Sequence, residues 1–299
     1  MTPTWDDIIF DIETNGLLPE HIEPPFCMDK IHCLVIKDVP TSVVRHFVRD
    51  ELLPLSQEDI DGLAELGIGI PEPLSVGIAL LRNAKKRVVG HNIIDFDLPA
   101  IEMIFPDFVT NAAVYDTLPM ARMVFADIKE KDFRLAARGI LPGALIGTQG
   151  LEAWGYRLEL LKGDYKKERE AELKEKHKEA GLDAPTKEEL HDYVWGHWNV
   201  AMHAYMLQDA EVNEALLIKI EAADWSELAT QIEHEIHALM VQQERNGFFF
   251  DREKGEKLGA HLQAEYDAFA AEAIDHIGRW YRPSRWTTLD EDSVPEHGE

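Results

Sequence analysis

Hydrophobic positions follow two different periods along this chain. In its first part the apolar residues come in short runs closed by turn residues. Ile8-Ile9-Phe10-Asp11-Ile12 ends at Thr14-Asn15-Gly16, Ile31 to Ile36 ends at Lys37-Asp38, and Val43 to Val48 follows. Arg87-Val88-Val89-Gly90-His91 and Ala112 to Asp116 complete a set of runs with the length and punctuation of strands. A helix is expected to end over Leu80 to Lys85, and another to run through Leu118, Ala121, Arg122 and Phe125. From Trp195 the period becomes helical, with Leu207, Leu216, Ile218 and Ile220 recurring among polar residues. Leu228, Ile232, Ile236, Leu239 and Met240 then form a stripe at spacings of three and four. Gly247 stops that helix, and Asp251 caps another that carries Leu258, Leu262, Phe269, Ile274 and Ile277. Strands first with helices interleaved predict an α/β fold around a mixed sheet.

Residues 157–192 break the pattern. They are dense in charge of both signs, and their Glu/Lys spacings suit an exposed helical excursion. The end, from Ser284 to Glu299, is poor in apolar residues and is expected to be flexible. The 299 residues are 45% hydrophobic, which argues against a disordered chain. No apolar run approaches a membrane span of about 20 residues, and the N-terminus lacks the pattern of a signal peptide. Cys27 and Cys33 fit no CxxC pattern and are read as reduced thiols of a cytoplasmic protein. The net charge of −26 argues against tight coating of a nucleic-acid duplex, because phosphate affinity comes from Lys and Arg. Lys85-Lys86-Arg87 is a local basic exception.

Three polar constellations interrupt the apolar pattern. In Asp11-Ile12-Glu13, two carboxylates project from the same face of a strand. Like charges on a buried strand end need a cation between them, and Mg²⁺ or Mn²⁺ prefers carboxylate oxygens. His91-Asn92 leads to two more carboxylates, Asp95 and Asp97, and spacing alone leaves open which of them faces a site. Tyr205 and Asp209 stand one turn apart on a predicted helix, where a phenol can hydrogen-bond a water near a carboxylate. Each has a plainer reading: a surface D-x-E, a helix cap, a half-buried tyrosine.

Together, D-x-E, H-N-x(4)-D and Y-x(3)-D resemble, in order and spacing, the three motifs of DEDD exonucleases, and the tyrosine places them with the DEDDy branch. Leu151 to Leu158, Lys162-Gly163-Asp164-Tyr165, Gln243 to Phe248 and Gly278 to Pro283 resemble segments of family A replicative DNA polymerases of short-tailed bacteriophages. The resemblance implies an RNase H-like fold, a mixed five-stranded sheet flanked by helices, with a C-terminal helical extension. It matches Asp11, Glu13, Asp97 and Asp209 to metal ligands, Asp97 being preferred over Asp95 because Phe96-Asp97-Leu98-Pro99 aligns, and it matches Tyr205 to the motif tyrosine. The implied chemistry is two-metal-ion hydrolysis with Mg²⁺ or Mn²⁺, releasing nucleoside 5′-monophosphates from a single-stranded DNA 3′ end. Asn15, Gly16, Leu17, His91, Asn92 and Phe96 are the expected substrate contacts, and Asp116 is read as structural.

The expected organisation is an exonuclease domain over 1–222, a helical extension over 223–283 that resembles the start of a polymerase part, and the acidic tail 284–299. The function expected is proofreading for a DNA polymerase encoded or located separately, in a bacterial host cytoplasm if the chain is phage-encoded. The chain is alternatively a piece of a larger enzyme, a free-standing DEDD nuclease acting on RNA or single-stranded DNA, or a non-catalytic docking module. Trp280, Tyr281 and Trp286 are candidates for an exposed docking patch.

Overall fold

The run that opens the chain becomes β1 (Asp7–Thr14), which lies inside the sheet with a neighbour on each side. The computed structural model describes residues 2–19, 26–160 and 164–278. β2 (Ile31–Asp38) pairs antiparallel with β1, and β3 (Val44–Val48) antiparallel with β2. After α1 (Gln57–Glu65) come the short β4 (Glu72–Pro73) and α2 (Leu74–Asn83). β5 (Arg87–Gly90) pairs parallel with β1, α3 (Asp97–Ile104) follows, and β6 (Ala113–Asp116) pairs parallel with β5. The sheet order is β4-β3-β2-β1-β5-β6. This is the mixed α/β sheet the sequence predicts, with six strands rather than five. The addition is β4, two residues held parallel to β3 and clamped by a forked Arg45–Glu72 pair, too short to leave a periodic signature.

Alternation along β1 sorts its side chains into two layers. Ile8, Phe10 and Ile12 enter the core beneath α2 and α3, with Leu34, Ile78, Leu81 and Ile101. Gly77 lets α2 lie close to the sheet, since a Cβ there would stand 2.6 Å from Leu34 Cδ2. The opposite face carries Ile9, Asp11 and Glu13 and is covered by α9 (Val200–Glu221). Leu217 of α9 packs on Ile9, and Met202, Met206 and Ala210 pack on Cys33 and Val35. Asn199 starts α9 by accepting the Met202 N–H at 2.9 Å, a cap worth about 1 kcal/mol.

Between the sheet and α9 the chain runs through α4 (Thr117–Val124), α5 (Ile128–Ala137), α6 (Leu151–Leu158), α7 (Tyr165–Glu179) and α8 (Lys187–His191). One turn of π-helix, Asp192–Gly196, closes this stretch. α7 is the exposed charged helix the sequence predicts, laced by Arg169–Glu172, Lys174–Glu170 and Lys176–Glu172 pairs. Its first residue, Tyr165, is nevertheless buried. Arg157 of α6 forks onto Asp132 of α5 at 2.9 and 2.7 Å, and the Gly147 N–H donates to the same carboxylate. Both side chains are shut away from solvent. Asp132→Ala strands the guanidinium and is expected to cost about 3–5 kcal/mol in urea unfolding. A loss under about 1 kcal/mol would show that the pair contributes little.

The described residues divide into two compact units, one ending at Asn246 and the other beginning at Gly247. α10 (Glu227–Asn246) falls in the first unit. The physical reason is that its Thr230, His234 and Val241 are buried, and that His234 Nε2 accepts the Asp116 N–H at 2.6 Å. The predicted stripe on α10 lies on the other side of the helix. Leu228, Ile232, Ile236, Leu239 and Met240 are 47–65% exposed. In the second unit, α11 (Arg252–Ile277) is capped by Asp251 as expected, after Gly247 at φ 62°. Its Leu258, Leu262, Phe269 and Ile274 are exposed. Trp280, Tyr281, Trp286 and the acidic tail lie outside the described residues. No helix among the described residues is long and apolar enough to cross a membrane.

Candidate metal centre

Asp11 and Glu13 point from β1 toward α9, where Tyr205 and Asp209 share the facing side one turn apart. One oxygen each from Asp11, Glu13 and Asp209 lies within 4.8 Å of the others. Asp97 begins α3 beyond the C-terminal end of β5, the neighbour of β1, and joins the same cavity of about 250 Å³. Asp95 does not line that cavity, because α3 starts at residue 97 and leaves residue 95 in the preceding turn. The backbone N–H of Ile12 donates to the Asp97 carboxylate.

The electrostatics of the cluster are those of acids forced together away from water. Burial first, and then Asp97, Glu13 and Asp209, hold the Asp11 carboxyl well above its ordinary range. Burial, then Asp209 and Asp97, do so for Glu13. Burial and Asp116 push Asp97 up to about 8. Burial pushes Asp209 up to about 7, against the hydrogen bond from Tyr205, which favours its charged form. The Tyr205 phenol is itself raised, by burial and then by Asp209 and Glu13. No Lys or Arg among the described residues neutralises these four acids. An oxygen-only donor set with this unrelieved charge fits a hard divalent cation, which removes the repulsion that burial creates.

The expected substrate contacts divide. His91 and Asn92 line the cavity with Phe96. Asn92 sits at φ 66°, a left-handed position that asparagine tolerates, and its N–H donates to Asp116 at 2.7 Å. The His91 ring is buried against the Thr117 hydroxyl and kept neutral, its pKa lowered to about 3. Leu17 is 45% exposed, outside the core, and shares a second cavity of about 450 Å³ with Phe96 and Trp195. Gly16 also lines that second cavity, Asn15 does not, and both have local work. The Asn15 side chain bonds Asp29 and the Lys30 N–H. A Cβ on Gly16 would stand 2.3 Å from the Phe26 carbonyl oxygen, so this glycine serves the approach of two chain segments. The Lys85-Lys86-Arg87 patch is also altered, because Arg87 is paired with Asp7 and Glu221 and Lys85 with Asp6. Asp116 is structural as read, accepting from the N–H groups of Asn92, Ile94 and Leu118 and so holding the loop that leads to Asp97.

No family model matches the chain. Over 94% of its length it is 30% identical to a DNA-directed DNA polymerase of Escherichia phage T7. Over the same share it is 31% identical to a DNA-directed DNA polymerase of Enterobacteria phage T3. The chain is homologous to the N-terminal region of these polymerases. It spans 39% of the length of each. Two side chains of this polymerase homologue that matter to the site carried no motif of their own. Trp195 borders both cavities and is delivered by the π-helical turn, which no residue pattern announced. Tyr165 was visible only as the end of the Lys162-Gly163-Asp164-Tyr165 resemblance.

Proposed function

We propose that this chain is a metal-dependent 3′–5′ exonuclease that releases nucleoside 5′-monophosphates from DNA ends. The observation that carries this reading is the meeting of four carboxylates, buried Glu13 and Asp97 and half-buried Asp11 and Asp209, from β1, the start of α3 and α9, with no cationic side chain of the described residues among them. Homology to phage DNA polymerases supports DNA as the substrate, a DNA polymerase as the functional partner and a bacterial host cytoplasm as the setting. Proofreading is the role that joins these points.

Asp11, Glu13, Asp97 and Asp209 hold divalent cations, Mg²⁺ or Mn²⁺, in this reading. Such ions supply Lewis acidity toward a phosphodiester and lower the pKa of a water toward neutrality. Tyr205 donates its O–H to Asp209, which keeps the phenol protonated, and its oxygen would accept from the reacting water. Phe96 and Leu17 offer apolar surface to the last bases of a single strand, in keeping with sequence-tolerant stacking. Brief engagement of one strand end also suits a chain with a net charge of −26.

The test is digestion of 5′-labelled single-stranded DNA and RNA of one sequence, with Mg²⁺ or Mn²⁺ and with chelator. A cation-dependent ladder descending one nucleotide at a time on DNA is expected. Silence with both metals would overturn the proposal, and faster loss of RNA would move the assignment to a DEDD ribonuclease.

A further inference from the structure

The charged excursion enters the fold at Tyr165, whose hydroxyl also accepts from Arg169 of the same helix. We propose that Tyr165 is a positioning residue for Tyr205 and Trp195, an inference that rests on the exonuclease reading above. Its ring stacks on Tyr205, with centroids 5.6 Å apart and planes 26° from parallel. It meets Trp195 edge-on at 5.4 Å. Its hydroxyl donates to the Val194 carbonyl at 2.7 Å and accepts from Asn199 Nδ2 at 2.9 Å.

These contacts couple two walls of the site. Asn199 also caps α9 through its Oδ1, so one amide ties the start of that helix to the Tyr165 hydroxyl. Tyr205 lies two turns into the same helix, with one face on Tyr165 and its phenol toward Asp209 and Glu13. The next carbonyl of the π-helical turn, that of Trp195, accepts from His32 Nε2 at 2.8 Å. Two consecutive carbonyls of an intrinsically unfavourable turn are thus each held by a buried side chain. Tyr165 restricts both the Tyr205 ring and the backbone that delivers Trp195, and does so without touching the reacting atoms.

The experiment is a double-mutant cycle read on two signals. Tyr165→Leu removes the ring, and single-turnover nucleotide release under Mg²⁺ is expected to fall about 100-fold, the scale of a misplaced catalytic group. In a Tyr205→Phe background the same substitution is expected to cost clearly less, about tenfold at most, because the hydroxyl it positions is already gone and only the hold on Trp195 remains to be lost. Tyr165→Phe keeps the ring and loses the hydroxyl clamp; an intermediate fall that also shrinks in Tyr205→Phe is expected, which keeps the test open if the leucine variant misfolds. The second signal needs no metal and no hydrolysis. In protein carrying 3-fluorotyrosine, the Tyr205 resonance, assigned by its loss in Tyr205→Phe, is expected to shift or broaden in both Tyr165 variants. Equal losses of rate in the two backgrounds, or an unmoved Tyr205 resonance, would overturn the inference. A wild-type chain without hydrolysis but with the expected fluorine response would overturn the exonuclease reading and leave the positioning contact standing.

Discussion

Asp11→Ala should lower nucleotide release from a single-stranded DNA end by about 10³-fold or more, the rate equivalent of several kcal/mol of lost cation chemistry. Asp11 is chosen because it feels all three other acids of the cluster. The same change should not unfold the protein. It removes a carboxyl whose charged form the metal-free fold disfavours, and Ile8, Phe10 and Ile12 keep the strand anchored from its other face. The measurements are single-turnover digestion, Mn²⁺ titration calorimetry and a thermal melt. A variant within tenfold of wild type, with cation binding intact, would remove Asp11 from the chemistry.

Metal-free protein is expected to lose stability as pH rises from about 6.5 to about 8. Asp97 titrates near 8 and Asp209 near 7 in the fold, against an ordinary value of 3.8. Stability from such a raised carboxyl is fully present below its unfolded value and disappears as pH climbs through the folded one. Asp97 alone accounts for about 2 kcal/mol across this window, and Asp11, Glu13 and Asp209 act in the same direction. Buried His32, His91 and His203 have the opposite sign, their pKa values lowered to about 4, 3 and 3. Their contribution is complete above the ordinary histidine value of about 6.5 and is lost on acidification. Above that pH the carboxylates set the slope. The melting temperature should fall by about 4 °C or more, millimolar Mg²⁺ should abolish the fall, and Asp97→Asn should flatten it while eliminating hydrolysis. A melting temperature level or rising over this range without metal would contradict the electrostatic account of the site.

The parts of this molecule legible in the sequence are those where one residue pattern has one physical solution. Asp11 and Glu13 had to share a face because strands alternate, and Ile9 on that face showed that it was covered. Tyr205 and Asp209 had to share a helix side. Choosing Asp97 over Asp95 needed the family pattern, because spacing cannot say at which residue α3 begins. The pairing of β4 was hidden because two residues have no period. The stripe on α10 was read correctly as a stripe, but periodicity does not say which side of a helix meets the core. There the buried anchor is polar, His234 bonded to the Asp116 backbone, and the apolar row faces outward. The excursion was read from its composition, which α7 bears out, while one aromatic residue at its start does the positioning.

The placement of the acids on β1 and α9 has a consequence for biogenesis. Asp11 and Glu13 precede Tyr205 and Asp209, which come only after the sheet and the excursion. Chains emerge from the ribosome N-terminus first. A nascent chain can therefore assemble the β1–β2–β3 meander early and still lack the helix that completes its acidic cluster. Under the proposed function, a translation product that ends before α9 lacks Tyr205 and Asp209 and so lacks the complete cluster.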